Sequence, residues 1–282
     1  MKSLLLSLVA CSLLSPVLCD QNPDFDSSQS ASGWYFVRFN LPAGEQLTSV
    51  TGEMIVPPLE PTNGGTYYIW PGLETSTYDG IYQNVLSGTD SGTWAYFSGY
   101  CCTNPTLPWS DNLFVYEGQT LSYRNVLTDT TWATTQGNID TGEVDNNSFD
   151  ALVGKTFQSA VFAIELYSES WNFGPMTFQN IAITGTGSDA SWCNETPENW
   201  QNGADYTISD LSATVDDFGV TCNIGSIVLN QPAAPAVKAR TVTKTSSATV
   251  TPTPTGNAGV RTLPASGVWG CFSVLLLVFC SL

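Results

Sequence analysis

The sequence predicts an all-β protein, an antiparallel β-sandwich, and two observations carry this prediction. Short runs rich in β-branched and aromatic residues follow one another between about 33 and 230, with Gly, Pro, Asn and Asp turns between them. No stretch of this region keeps the 3.6-residue apolar period of an amphipathic helix. Short strands separated by frequent turns are typical of two packed antiparallel sheets.

Ten segments are the candidate strands of this sandwich. In chain order they are 34–39, 49–57, 66–73, 80–87, 93–101, 113–127, 132–138, 159–167, 176–184 and the region between Cys193 and Cys222. Gly or Pro adjoins each of the first five, and the segments combine apolar with polar residues as half-buried strands do. A last strand, 224–229, is expected to end the domain.

The two ends of the chain are predicted to lie outside the sandwich. Lys2 precedes an apolar run ending near Cys19, too short to span a bilayer, as in a secretory signal peptide. A segment rich in Pro, Thr, Ser and Ala follows the last strand and cannot build a core. The predicted organisation is a signal peptide (1–19), an N-terminal extension (20–32), the sandwich (33–230), a Ser/Thr/Pro-rich stalk (231–257) and a removed C-terminal signal (258–282).

The C-terminal run 268–282 is apolar to its last residue. Small residues, a short polar spacer and then an apolar tail form the order of a glycosylphosphatidylinositol signal. We expect the lipid on Asn257, with Gly256 or Ser266 as weaker sites, and a retained tail anchor is the other interpretation. The protein is therefore expected outside the cell, anchored to the plasma membrane or cell wall.

The cysteines and glycosylation sequons agree with a secreted protein. Four cysteines leave with the terminal signals, and four remain in the sandwich: Cys101, Cys102, Cys193 and Cys222. Either the first two pair with each other and the last two with each other, or the bridges cross between the two sets. Sequons predict N-glycans on Asn146 and Asn194.

Composition excludes several kinds of chemistry. The sequence has no histidine, so Ser-His-Asp and Cys-His catalysis are excluded and the nitrogen ligands that zinc and copper favour are missing. We expect no metal and no cofactor. All 25 acidic residues lie between 20 and 217, against three basic residues there, so nucleic acid and anionic membranes are repelled. Carboxylates, tyrosines and amides remain for acid-base chemistry, and an acidic working environment is plausible.

The segment 159–167, SAVFAIELY, places one glutamate in the middle of a strand. Alternation puts Phe162, Ile164 and Leu166 on one face, the expected core side, and Glu165 on the other. If that face lines a cleft, desolvation raises the pKa of Glu165 and suits it to take and give a proton. The ordinary alternative is a solvated glutamate on an outer face.

The segment 80–87 holds one long amide, Gln83, among apolar residues. It shares a face with Ile81 and Val85. Either this face is the core and the amide interrupts it, or it faces a cleft. In the second case Asn84 points inward and needs hydrogen-bond partners.

Six short segments between about 32 and 185 together resemble the fungal glutamic peptidases, the eqolisins. In order they are SVTGEMIVP, YYIWPGL, GIYQNVL, FVYEGQTL, AVFAIELY and FGPMTFQNIAIT. The resemblance implies a concanavalin-like double sheet, and a catalytic pair of a glutamine and a glutamate at the positions of Gln83 and Glu165. By implication Glu165 activates water and then protonates the leaving amine, while Gln83 donates to the oxyanion. Four aromatic residues are expected to bind substrate: Trp70, Tyr82, Tyr96 and Tyr167.

A second functional class stays open beside acid peptide hydrolysis. Sandwiches with an aromatic face also bind or cleave cell-wall polysaccharide, as lectins, glucanases or lyases do, and fold analogy does not separate these uses. The expected partner is thus a polypeptide substrate or a cell-wall polysaccharide, with no nucleic acid, membrane contact only through the lipid anchor, and a monomeric chain.

Overall fold

The computed structural model describes residues 33–232 except 63, 79, 90–92, 102–108, 150, 151, 153 and 201–203. Within these residues the chain forms fifteen strands and one short helix. They are β1 Gly33–Asn40, β2 Leu47–Ile55, β3 Thr66–Thr75, β4 Ile81–Gly88, β5 Trp94–Cys101, β6 Leu113–Val115, β7 Thr120–Thr128, β8 Thr131–Asn138, β9 Glu143–Phe149, β10 Phe157–Tyr167, β11 Met176–Gly185, α1 Ser191–Asn194, β12 Glu198–Trp200, β13 Asp205–Ser209, β14 Ser212–Asp216 and β15 Gly219–Asn230.

The strands build two antiparallel sheets that pack face to face. One sheet has the order β12-β1-β10-β3-β4-β5-β6 and is called the cleft sheet below. The other, the back sheet, has the order β13-β15-β11-β2-β7-β8-β9, with β14 also paired to β15. Some neighbours in space are distant in sequence, as in β1-β10-β3, whereas β3 to β6 and β7 to β9 follow chain order. The predicted fold class, an all-β concanavalin-like antiparallel sandwich, is confirmed.

The alternation predicted for 159–167 is confirmed in β10. Phe162, Ile164 and Leu166 are buried in the large core between the sheets. Val161 and Ala163 belong to a separate apolar cluster on the opposite face of the cleft sheet. A strand whose two faces are both buried needs apolar residues at nearly every position, and this is the composition of β10.

In strand β4 the side chain of Gln83 faces away from the core between the sheets. Tyr82 and Leu86 lie in the core between the sheets, and Asn84 is fully buried beside them. Asn84 Nδ2 donates to Gln136 Oε1 at 3.4 Å, and Asn125 Nδ2 donates to Asn84 Oδ1 at 2.7 Å. The back sheet therefore supplies the hydrogen-bond partners that an inward asparagine requires.

One disulfide joins Cys193, in α1, to Cys222, in β15, with 5.5 Å between their Cα atoms. This bridge belongs to the first of the two arrangements that the sequence left open, in which the last two cysteines pair with each other. Cys101 is also disulfide-bonded, and Cys102 lies outside the described residues. The sequon residues Asn146, in β9, and Asn194, at the end of α1, are both exposed.

The chain divides into two units, Met1–Pro235 and Ala236–Leu282, and the second lies wholly outside the described residues. All described residues belong to the first unit. The predicted signal peptide and Asn257, as well as Gly256 and Ser266, lie outside the described residues. In the described part of the chain, no helix is long and apolar enough to cross a membrane.

Candidate functional site

The candidate site lies on the face of the cleft sheet that is turned away from the back sheet, called the cleft face below. Residues paired across antiparallel strands share a face. Glu165 of β10 pairs with Trp34 of β1 and with Tyr68 of β3, and Tyr68 pairs with Ser87 of β4. These four residues form one row across the cleft face.

Glu165 is held in a defined orientation by two hydrogen bonds. Trp70 Nε1 donates to Glu165 Oε2 and Tyr167 OH donates to Glu165 Oε1, both at 3.0 Å. The carboxyl group is closely surrounded by protein atoms, although the side chain keeps some solvent exposure. Burial raises the pKa of Glu165 above its ordinary value, and the two hydrogen bonds partly oppose this rise.

Gln83 points into the same pocket as Glu165. Its side chain is only 7% exposed, and its buried Oε1 atom has no hydrogen-bond partner among the described residues. A buried amide oxygen without a partner costs free energy, about 1–3 kcal/mol in proteins. A ligand or water in the pocket that donates to this oxygen would remove the cost.

The register separates the backbones of Gln83 and Glu165. Gln83 pairs with Gly72, and Gly72 pairs with Val161, four residues along β10 from Glu165. Two strand spacings across and four residues along correspond to about 16 Å between the two Cα atoms in a flat sheet. The bond from Trp70, which lies between these rows, draws the Glu165 carboxyl toward Gln83. Among the described contacts, no hydrogen bond joins the two side chains.

Aromatic side chains form most of the pocket wall. The pocket is open to solvent, and the space between its walls and at its mouth amounts to about 450 Å³. Besides Gln83 and Glu165 it is lined by Trp34, Tyr68, Trp70, Ile81, Val85, Phe97, Cys101, Trp109 and Tyr167. The ring centroids of Trp34 and Trp70 are 5.7 Å apart, and those of Phe97 and Trp109 are 5.4 Å apart. Two of the predicted substrate-binding residues, Trp70 and Tyr167, therefore lie in the pocket.

The other two predicted substrate-binding residues do not lie there. Tyr82 and Tyr96 are fully buried in the core between the sheets, so their prediction is corrected. Tyr96 OH donates to the backbone carbonyl of Ser122 in the back sheet. Both residues have the opposite parity to the pocket residues of their strands, Gln83 in β4 and Phe97 in β5, and successive side chains point to opposite faces.

Trp34 and Trp109 were not predicted as site residues. The segment WYFVRF is apolar on both faces, so alternation alone does not tell which face is outside. Arg38 has the same parity as Trp34, and this charge was the available signal that Trp34 lies on the outer face. No sequence signal marks Trp109, which packs on Phe97 from outside the strands.

An ion-pair cluster lies on the same face at the edge of the sheet. Arg38 of β1 donates to Glu74 of β3 and to Glu198 of β12, each at 2.5 Å. Asn40 Nδ2 also donates to Glu198. Arg38 lowers the pKa of Glu198 through these hydrogen bonds, which stabilise the ionised carboxylate. This cluster ties the edge strand β12 to the rest of the cleft sheet.

The fold and site together define a β-sandwich protein whose outer face carries an aromatic pocket with one carboxyl group. Among solved structures, the chain is similar to scytalido-glutamic peptidase with a peptide-based transition-state analogue, at 17% identity and a TM-score of 0.49, over 69% of this chain and 100% of that one. It is also similar to SCP-B, a member of the eqolisin family of peptidases in complex with the tripeptide Ala-Ile-His, at 14% identity and a TM-score of 0.46, over 72% and 100%.

A third similar structure is a laminarinase from Flavobacterium sp. UMI-01, at 13% identity and a TM-score of 0.31, over 71% of this chain and 80% of that one. No protein-family model matches the sequence, and a search of curated proteins finds no match. Likenesses of this size say nothing about the reaction of this chain, whose function has to be argued from the site itself.

Proposed function

We propose that this chain is a secreted, cell-surface-anchored protein of the glutamic-peptidase type that hydrolyses peptide bonds at acid pH. The observation that carries the proposal is the environment of Glu165. Its carboxyl group is oriented by Trp70 and Tyr167 inside an aromatic pocket, and its pKa is raised by burial. A carboxyl group that is fixed, desolvated and still reached by solvent has the properties of a general base and acid.

Glu165 carries both proton transfers in this reaction. The ionised carboxylate takes a proton from a water molecule, and the water oxygen forms a bond to the scissile carbonyl carbon. The tetrahedral intermediate then breaks its C–N bond while protonated Glu165 returns the proton to the leaving nitrogen, so that an acid and an amine are released. Each carboxylate oxygen accepts one bond from Trp70 or Tyr167 and keeps a second lone pair for the water.

The sign of the pH dependence follows from the raised pKa of Glu165. The group must be ionised to act as a base, so kcat/KM rises with pH as Glu165 loses its proton and then reaches a plateau. Because burial raises its pKa, this acid limb lies above about 4.3, the ordinary glutamate value. Within the acid range, activity therefore falls as the pH drops through the raised pKa of Glu165.

Gln83 supplies an amide at the far end of the same pocket. The sequence-based prediction makes it the donor to the oxyanion, and such a donor contributes about 10²–10³-fold to kcat. Its distance from Glu165 along the sheet also fits a second role, hydrogen bonding to the main chain of the bound substrate. Gln83→Ala separates the two roles, because loss of an oxyanion donor lowers kcat, whereas loss of a main-chain contact raises KM.

The arrangement of carboxylates favours peptide over glycoside hydrolysis. Glycosidases generally use two carboxyl groups about 5–9.5 Å apart. Glu165 is the single carboxylate among the described residues that line the pocket. Glu74, on the same face of β3, lies six residues along from Tyr68 in the Glu165 row, about 20 Å away along the strand. Polysaccharide binding without cleavage remains the alternative function.

The test is hydrolysis of an acid-unfolded protein by the secreted protein between about pH 2 and 6, beside two variants. Glu165→Gln is expected to lower kcat/KM by about 10²–10⁴-fold, the usual contribution of an acid-base residue. Glu143→Gln is the matched control, since Glu143 is exposed on β9 of the back sheet, and it should retain full activity. Full activity in Glu165→Gln would refute the proposal. Depolymerisation of glucan, chitin or polyuronate without any cleavage of peptides would refute it too.

A further inference from the structure

The back sheet ends in a long and regular edge strand, β9. Its seven residues, Glu143–Phe149, pair with β8 in one unbroken register. Strand β9 is the last in the order of the back sheet, so no described strand pairs with its other side. Alternate residues of β9 therefore point main-chain N–H and C=O groups away from β8. An unpaired edge of this kind is a template on which a strand of another molecule can pair.

The other sheet edges in the described part of the chain are shorter. Strands β12 and β6, at the two edges of the cleft sheet, have three residues each, and β13, at the far edge of the back sheet, has five. Very short edge strands, Pro, Lys and bulges are common means of preventing association through an edge. Strand β9 has none of these features. It is therefore the edge at which this protein most needs another kind of protection.

The outer face of β9, which points away from the core, carries no charge. Asp145 has the other parity, and Gln136 Nε2, between the sheets, donates to Asp145 Oδ2 at 3.4 Å. Glu143 shares the parity of Asp145. The outer face presents three exposed residues, Val144, Asn146 and Ser148. Because Val144 is apolar and 58% exposed, and because no like charges repel each other on this face, the face favours association.

Asn146, the central residue of β9, begins the N-glycosylation sequon Asn146-Asn147-Ser148. Its side chain is exposed on the outer face, and Thr135 Oγ1 donates to its Oδ1 at 2.9 Å. This bond holds the amide, and no described residue accepts a bond from Nδ2, the atom to which a glycan is attached. The other sequon begins at Asn194, at the end of α1, and lies in no strand. One glycosylation site is therefore at the middle of the longest unprotected edge.

A glycan on Asn146 occupies the space that an added strand requires. A strand that pairs with β9 lies about 4.8 Å away, and the residue opposite Asn146 brings its Cβ atom to about 4.5–5.5 Å on the same face. If the added strand is β9 of a second copy, antiparallel and centred, Asn146 faces Asn146 across the two-fold axis and the two glycans collide. The glycan also covers Val144, about 6.8 Å away along the same face. Because an N-glycan is bulky and hydrated, no strand fits beside it.

We propose that Asn146 is N-glycosylated and that this glycan keeps the protein monomeric by preventing β9 from pairing with β9 of a second copy. In the transfer, Nδ2 of Asn146 loses a proton and bonds to the anomeric carbon of an oligosaccharide, while the bond from that carbon to a lipid-linked pyrophosphate breaks. The proposal concerns the back sheet. It does not depend on peptide hydrolysis, whose residues Gln83 and Glu165 lie on the cleft sheet.

The first experiment compares the two sequons without changing either asparagine. The full-length chain is expressed in a eukaryotic host that attaches N-glycans, beside Ser148→Ala and Thr196→Ala, which remove one sequon each. Mass spectrometry of glycopeptides should find a glycan on Asn146 in the unaltered protein and in Thr196→Ala, and none in Ser148→Ala. Sedimentation velocity is measured at acid pH, where protonation of carboxylates lowers the repulsion between these acidic domains.

We expect the unaltered protein and Thr196→Ala to stay monomeric, and Ser148→Ala to dimerise at concentrations at least about tenfold lower. Urea unfolding shows whether Ser148→Ala is folded. Should it fail to fold, folded Thr196→Ala is trimmed enzymatically to the first sugar on Asn146, which should promote dimers as well. Hydrogen exchange of the β9 amides should be slower in the dimers than in the monomers, because strand pairing protects them.

A substitution on the edge tests whether β9 itself is responsible. Adding Val144→Lys to Ser148→Ala places a charge on the outer face of β9 and should restore the monomer without a glycan. Phe218→Lys is the matched control, because Phe218 is 87% exposed on the turn between β14 and β15, at the opposite edge of the back sheet. It replaces an exposed apolar residue by the same charge and should leave the dimers of Ser148→Ala intact.

Three results would overturn the proposal. They are an unmodified Asn146 in the unaltered protein, a Ser148→Ala or trimmed protein that is as monomeric as Thr196→Ala, and dimers that persist when Val144→Lys is added. A lack of peptide cleavage by the unaltered protein would instead contradict the proposed hydrolysis and leave this proposal standing.

Discussion

Replacing Tyr167 by phenylalanine removes one of the two hydrogen bonds that stabilise ionised Glu165. The ring and its contact with Tyr68, at 5.7 Å between centroids, are retained. The only loss is the hydroxyl that donates to Glu165 Oε1 at 3.0 Å. Since this bond lowers the pKa of Glu165 against the effect of burial, its removal must raise that pKa further.

The size of the shift follows from the geometry of the bond. Hydrogen bonds to charged groups contribute about 1.5–3 kcal/mol. The 3.0 Å bond from Tyr167 is longer than the strongest hydroxyl–carboxylate bonds, and Glu165 keeps some exposure to water, so the low end applies. Because one pKa unit corresponds to 1.36 kcal/mol, we expect the pKa of Glu165 to rise by about one unit.

Two measurements check this expectation. The carboxyl carbon of Glu165 is titrated by NMR, which requires no activity, and kcat/KM is measured against pH. In Tyr167→Phe the acid limb should move up by about one pH unit, so that activity below the limb falls about tenfold. Activity on the plateau should be nearly unchanged. The hydroxyl of Tyr167 does not itself titrate below pH 10, since burial keeps its pKa high.

Tyr116→Phe is the matched control, because Tyr116 is exposed away from the pocket. Its titration curve for Glu165 should coincide with that of the unaltered protein. If the acid limb of the pH profile stays in place or moves to lower pH in Tyr167→Phe, the hydroxyl of Tyr167 does not stabilise the Glu165 carboxylate, and the proposed role of this hydrogen bond is refuted.

Three further changes test the ion pairs, the polar core and the disulfide. Glu198→Gln should lower the free energy of unfolding, measured in urea, by about 0.5 kcal/mol at pH 7. Because the pKa of Glu198 is lowered in the folded state, the difference between the two proteins should disappear as the pH falls through that pKa. A difference that stays constant with pH would contradict the assignment. Asn84→Ala leaves buried Asn125 Nδ2 without its acceptor and should cost about 3 kcal/mol in urea unfolding. Asn112→Ala, at an exposed site, should cost nearly nothing. Replacing Cys193 and Cys222 together by serine removes the bridge that closes a separation of 29 residues and should cost up to about 3.5 kcal/mol; an unchanged melting temperature would refute this.

Strand composition was enough to predict the fold class and the two faces of the key strands. In β10 the opposite orientations of Phe162 and Glu165 could be predicted from the sequence, because side chains along a strand alternate between its two faces. In β4 the choice between core and cleft for Gln83 depended on whether Asn84 had partners. Those partners, Asn125 and Gln136, are on strands far along the chain, so local sequence did not reveal them.

Tyr82 and Tyr96 show the limit of predicting a site from residue type. Both are aromatic residues near predicted site residues, and both pack between the sheets. Aromatic residues supply large apolar surface to cores as readily as to pockets. The parity within the strand was the signal that separated Tyr82 from Gln83.

The sequence by itself determined the β-sandwich, the glutamate available for acid-base work, and the absence of histidine chemistry, because these depend on composition and on a local period of two. Only the tertiary structure decided that Trp34, Trp70 and Tyr167 surround Glu165 and that Gln83 lies four residues along the strands from the row of Glu165. Strand order and register arise from hydrogen bonds between segments far apart in the chain. No local pattern encodes them, so the position of each side chain across the cleft sheet is known only once the strands have paired.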